Sequence, residues 1–193
     1  MILTLTGASG AGKSTIAKGL LAKDRNVVLL TSYTTRPQRE TDLPNEYAYL
    51  SQEEFARMET GGDFLWYVHV HEFSYGTTWA SVQNALNDDK RTHVMVLLVE
   101  KVSVLRNYAQ GLAKGGRVCS FYILSPSQKT LEERLRGRGD DEATIAKRIK
   151  ECLDWDEQAK RSGTPFNFIT NERRVKSVID EVVQKISFGD CCF

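Results

Sequence analysis

The chain has 193 residues, 41% of them hydrophobic, with 26 lysines and arginines against 25 aspartates and glutamates and a formal net charge of +1. That length suits one domain with small insertions, and the even charge balance offers no basic surface to a nucleic acid or a membrane. No stretch approaches the roughly 20 apolar residues of a spanning helix, and no basic flank or cleavage region marks a secretory signal, so a cytoplasmic protein is expected.

The first element expected is a short strand over 2–6, where Ile2-Leu3-Thr4-Leu5-Thr6 alternates. It runs into Gly7-Ala8-Ser9-Gly10-Ala11-Gly12-Lys13-Ser14, which fits G-x-x-x-x-G-K-S/T without a mismatch. Beyond it, Ile16, Ala17, Leu20 and Leu21 mark one face of a helix over 14–23. Strand, glycine-rich turn and helix in that order make a phosphate cradle. Glycines let backbone N–H groups turn inward, and the helix N-terminus adds positive potential. Gly7, Ala8, Ser9, Gly10, Ala11, Gly12, Lys13, Ser14 and Thr15 are therefore the candidate ATP-binding residues. Lys13 is expected to reach the β- and γ-phosphates, and the Ser14 hydroxyl to ligate Mg²⁺.

Further strands are expected at 27–32, 93–99, 117–124 and 166–170, alternating with helices at 77–88, 101–114, 127–136, 142–161 and 173–187. Runs such as Val94-Met95-Val96-Leu97-Leu98-Val99 are apolar throughout, as strands covered on both faces are. The pattern predicts an α/β fold: a five-stranded parallel sheet flanked by helices. Two segments interrupt it. Residues 33–76 read as an inserted α+β module, the natural seat of a second substrate, with a short strand at 47–50, a Ser51–Glu54 capping box opening a helix to about Met58, and a strand at 64–70. The second, Arg134-Leu135-Arg136-Gly137-Arg138-Gly139, combines glycine hinges with guanidinium groups, as a mobile lid would. The expected division is a core of 1–32, 77–133 and 149–193, an acceptor module at 33–76 and a lid at 134–148.

Four cysteines form no C-x-x-C pair, so no zinc site or thioredoxin-like motif is implied. Cys119 reads as a core residue and Cys152 as part of a helix, while Cys191 and Cys192 fall in a tail expected to fray.

Phosphoryl transfer requires aligned phosphates and neutralised charge more than covalent help. Two arginine clusters could provide this. Arg36 and Arg39 follow the second strand, and Arg134, Arg138 and Arg148 come from the opposite side of the glycine loop.

Ser32-Tyr33-Thr34-Thr35-Arg36-Pro37-Gln38-Arg39, Asn45-Glu46-Tyr47-Ala48-Tyr49-Leu50-Ser51, Phe55, Tyr75-Gly76-Thr77, the Arg134–Gly139 run and Lys147-Arg148 follow one another as the motifs of guanylate kinases do. The chain resembles that family over nearly its whole length. The resemblance implies a P-loop kinase fold and a nucleoside monophosphate kinase that uses ATP and Mg²⁺. It implies that Arg36, Arg39, Tyr47 and Tyr75 hold the acceptor phosphate, that Ser32 and Thr77 contact the base, and that Asn171 lies near the donor nucleotide. Lys13, Arg39, Arg134, Arg138 and Arg148 would form the catalytic set, the last three clamping the transferring group.

Two departures stand out. Trp66 occupies the place of the family's guanine-reading glutamate, leaving Asp42 to match another family acid and Glu72 within reach of the base. The family's Asp-x-Asp strand is Val96-Leu97-Leu98-Val99-Glu100 here, with Glu100 the nearby carboxylate. The expected acceptor is GMP or dGMP by default, with an altered or broader base preference. A kinase of ribose-bisphosphate type and a catalytically silent protein-binding module are the alternatives. ATP and a nucleoside monophosphate are the expected partners, with no nucleic acid or membrane, for a monomer or homodimer.

Overall fold

β1 (Ile2–Thr6) is buried at every residue and pairs in parallel on both sides, which puts it at the middle of a sheet. The computed structural model describes residues 1–187 apart from 41, 71, 138, 173 and 174, so Arg138 and the Cys191-Cys192 tail lie outside the described residues. After β1 come α1 (Lys13–Lys23), β2 (Val27–Leu29), β3 (Ser32–Thr34), β4 (Tyr47–Tyr49), α2 (Gln52–Thr60), β5 (Phe64–Val70), β6 (Phe73–Thr78) and α3 (Trp79–Asn87). The remainder is β7 (Thr92–Val96), α4 (Val99–Gly111), β8 (Val118–Leu124), α5 (Gln128–Arg136), α6 (Glu142–Arg161), β9 (Asn167–Thr170) and α7 (Val175–Ser187).

The core sheet has the order β2-β7-β1-β8-β9 with every pairing parallel. Alternation along β1 sends side chains to opposite faces. Leu3 and Leu5 meet Ile16, Ala17 and Leu20 of α1 and Val178 and Val182 of α7. Ile2 joins Val82 and Leu86 of α3 with Val102 and Leu105 of α4 on the other face. The expected five-stranded parallel sheet flanked by helices is present, and all its carboxyl ends open toward one edge.

The strand expected over 27–32 divides. The Leu30 N–H donates to the Val94 carbonyl at 2.8 Å, still on the core sheet, but the Ser32 N–H donates to the Glu46 carbonyl at 3.1 Å. From Ser32 the chain belongs to a second sheet, ordered β4-β3-β6-β5, with β3 parallel to β4 and antiparallel to β6. Neither β3 nor β6 is foreseen by hydrophobic pattern. Ser32-Tyr33-Thr34 and Phe73-Ser74-Tyr75-Gly76-Thr77-Thr78 are largely polar, and they are strands because partners distant in sequence bond to them.

The strand expected over 93–99 also stops early, at Val96; Leu98 caps α4, which begins at Val99. The Ser51–Glu54 capping box forms as expected and opens a helix that runs on to Thr60.

On that helix, Phe55 is 1% exposed and stacks on Phe64 of β5 with centroids 4.6 Å apart. This contact ties α2 to the second sheet. Phe55→Ala is expected to lower the unfolding free energy by about 3 kcal/mol, measured by urea denaturation.

Candidate active site

The turn between β1 and α1 holds Gly7, Gly10 and Gly12 at positive φ. Gly7 has φ +146°, and a Cβ there would strike the Ile123 carbonyl oxygen; Gly12 has φ +99°, and a Cβ would strike Asn171 Nδ2. Ala8 and Ala11 pack inward, so their contribution to the loop is backbone. Lys13 Nζ donates to the carbonyls of Gly7 and Ala8 at 2.7 and 2.8 Å, folding across the loop mouth. Behind the loop, the buried Asn171 donates through Nδ2 to the Ala11 carbonyl at 2.7 Å. Arg134 donates to the carbonyls of Gly10 at 3.3 Å and Asn171 at 2.9 Å. Two distant segments therefore brace the cradle.

In front of it lies a cleft of about 680 Å³, floored by Ser9, Gly10, Gly12, Lys13, Ser14 and Thr15. Arg36, Arg39, Asp42, Tyr47 and Tyr75 face it from the second sheet, and Arg134 and Asn171 from the core. The structure thus brings most of the expected phosphate-handling residues to one cavity.

Arg36 is 5% exposed and bonds Asp42 in bidentate fashion, at 3.0 and 2.9 Å, with its carbon 5.1 Å above the Tyr47 ring. Two further donors reach Asp42, the Arg39 N–H and the Tyr49 hydroxyl, each at 2.8 Å. Burial alone would raise the Asp42 pKa, but these donors outweigh it and hold the carboxyl below its ordinary value. Burial works against the charge on Arg36, yet Asp42 keeps the guanidinium pKa above normal. Tyr47 is pushed up to about 12 by burial and stays a neutral phenol. Arg39, by contrast, is exposed and makes no side-chain hydrogen bond among the described residues. One arginine is fixed as framework; the other is available to a ligand.

A second cavity, of about 370 Å³, shares Ser9, Lys13, Tyr47 and Tyr75 with the first. Ser32 and Thr77 sit in it with their hydroxyl oxygens 3.1 Å apart, and Trp66 lines it at 7% exposure. Asp42, matched above to another family acid, does not reach it and is engaged under Arg36, on the phosphate side. Glu72 lies at the β5–β6 turn, its carbonyl accepting from Gln52, and Glu100 is exposed in the first turn of α4; neither lines the cavity. Arg148 donates to Asp140 at 2.6 Å and lines neither cavity.

Several lining residues escape motif reading. Glu46 lines the large cleft near Ser14, and Lys101 and Trp155 line the second cavity. Val68 and Val70 share a strand face with Trp66, a period-two signal present in the sequence. Trp155, on α6, has no local signal at all.

A model of the family described as guanylate kinase matches residues 1–187. The chain is 33% identical over 148 residues to a guanylate kinase of Agrobacterium fabrum, a match that covers 76% of this chain and 64% of that one. It therefore spans a little under two thirds of that relative's length. A guanylate kinase of Thermotoga maritima is 29% identical over 188 residues, covering 94% of this chain and 84% of its own. The crystal structure of guanylate kinase from Anaplasma phagocytophilum superposes with a TM-score of 0.64 at 22% identity, covering all of this chain and 87% of that one, and so shares the fold.

Asp42→Asn leaves the buried Arg36 short of a counter-charge and is expected to destabilise the chain by about 3 kcal/mol at neutral pH. The carboxyl is depressed in the folded chain, so its stabilising share is complete above its ordinary pKa of 3.8 and lost as pH falls through the lower folded value. Denaturant unfolding of the two proteins across pH is expected to show the gap closing only in acid.

Proposed function

The chain belongs to the guanylate kinase family, and from that premise we propose that it transfers the γ-phosphoryl group of ATP to a nucleoside monophosphate. The observation that carries this reading is one continuous cleft with Lys13 and Ser14 on its floor and Arg36, Arg39, Tyr47 and Tyr75 opposite. A donor triphosphate and an acceptor monophosphate bound on those two sides would meet end to end. Names of the curated relatives favour a nucleotide acceptor over a sugar phosphate or a silent binding module.

In this reading the backbone N–H groups of the loop and the N-terminus of α1 hold the donor phosphates. Lys13 would exchange the Gly7 and Ala8 carbonyls for phosphate oxygens. Arg39 would neutralise the acceptor phosphate, and Arg36, locked by Asp42 and stacked on Tyr47, would present a preset guanidinium edge. Arg134 would act from the loop side, where it already spans the Gly10 and Asn171 carbonyls. Residues 33–76 would serve as the acceptor module and 134–148 as a lid. Closure of that lid would move Arg148 from Asp140 to the transferring group. Exclusion of water then strengthens every charge–charge contact inside.

Mg²⁺ would neutralise charge shared between the donor phosphates. The donor set fits a cation held mainly by phosphate oxygens and water. Ser14 supplies a hydroxyl, Glu46 is a carboxylate on the same cleft, and no cluster of three or more acidic, histidine or cysteine side chains able to hold a metal occurs among the described residues.

Lys13→Ala is expected to cut ATP-dependent ADP release by at least about 10³-fold with the circular dichroism unchanged. Arg39→Ala is expected to raise the acceptor KM by about tenfold and leave the ATP KM within about twofold. A coupled ADP-release assay reads both.

A further inference from the structure

The second cavity has no carboxylate among its described lining residues. Its walls are Trp66, Val68, Val70, Leu97, Leu98 and Trp155, and Lys101 is its one cation beyond the P-loop lysine. Lys101 is half-buried on α4, and its ammonium makes no hydrogen bond or ion pair among the described residues. The indole N–H of Trp66, a donor only, makes no hydrogen bond there either. Ser32 and Thr77 are already bonded to each other. A base entering this cavity meets spare donors and apolar walls, with neutral hydroxyl oxygens as its nearby acceptors.

That surface suits some bases and not others. The pairing edge of guanine carries N–H groups at both N1 and the exocyclic N2, which call for a paired acceptor such as a carboxylate. Placed here O6 could take a donor, but N1–H and N2–H would compete for the single Ser32–Thr77 hydroxyl pair, and the donor left unpaired weighs heavily against binding. A pyrimidine-2,4-dione has two carbonyl oxygens flanking a single N–H. One carbonyl can take the Lys101 ammonium, the N–H can go to the Ser32–Thr77 pair, and the C5 side, methylated in thymine, can lie on the valines and leucines.

Resting on the kinase reading above, we infer that the acceptor is a pyrimidine-2,4-dione nucleoside monophosphate, of the dTMP and UMP class, and that Trp66 and Lys101 set this preference against guanine. In the kinase, this places the donor-seeking face of the base toward α4 and the phosphate toward Arg39. Trp66 occupies by bulk the position from which an acceptor could have read a purine, and Lys101 adds a donor where the N1–H and N2–H of guanine call for a second acceptor.

Calorimetric titration of the full chain with dTMP, UMP, CMP, AMP and GMP in the absence of ATP tests the pocket independently of turnover. The dione monophosphates are expected to bind at least about tenfold tighter than GMP. Lys101→Met is expected to remove most of that ratio, and Trp66→Glu to shift it toward GMP. Because Lys101 is not part of the core, its variant keeps the test valid whether or not Trp66→Glu folds. GMP, AMP or CMP bound as tightly as dTMP overturns the assignment, as does an unchanged ratio in Lys101→Met. ADP release with the same acceptors separates the two readings. Dione binding without ADP release removes the kinase and keeps the pocket, whereas turnover fastest with GMP keeps the kinase and removes the pocket assignment. Neither binding nor turnover with any acceptor removes both.

Discussion

A side chain at position 7 would collide with the Ile123 carbonyl, and the turn that glycine permits there decides where β1 hands the chain to α1. The close approach of β8 behind the loop and of Asn171 beside Gly12 leaves the backbone one path. Along that path the first amides of α1 stay without helical partners and point at the cleft. Parallel pairing of all five core strands then brings Arg134, on α5, and Asn171, just past β9, to the same edge. The cradle is therefore a property of the sheet's packing as much as of its own letters.

The second sheet meets this edge through a different kind of constraint. Arg36 and Asp42 are both withdrawn from water and tied by two hydrogen bonds, with Tyr49, the Arg39 N–H and the Tyr47 ring around them. Burying such a pair is not in itself a source of stability, since desolvation offsets much of the attraction. What it provides is orientation: the described residues between 35 and 46 have little regular structure, and the ion pair holds the cation at the cleft. Arg39, three residues on, is exposed, with its guanidinium outside this pair.

The two cavities differ in the chemistry of their walls. The large one gathers cations around a polar floor, as phosphates require, and the smaller one is walled by aromatic and branched aliphatic side chains. Tyr47 and Tyr75 stand at the boundary, 6.2 Å apart edge to face, and line both. In the proposed function, a bound nucleotide would be sorted by these surfaces, its anionic end and its base drawn to opposite sides of the tyrosine pair.

Sequence alone determined the glycine loop, the alternation of strands and helices and the capping box at Ser51, because each rests on short-range chemistry: φ restrictions, apolar periodicity and a side chain reaching three residues ahead. It also located Arg36, Arg39, Arg134 and Asn171, through motif order. It could not place β3 and β6, whose polar residues become strands only by pairing with each other and with β4 and β5. Nor could it assign Asp42, which matches another family acid by position in the chain and is captured by the guanidinium six residues earlier. The tertiary structure alone decided the character of the smaller cavity. Trp66, Leu98, Lys101 and Trp155 come from β5, the entry to α4, α4 and α6, and no spacing relates them. Their common ground is a surface made by packing, which forms only when the chain has folded.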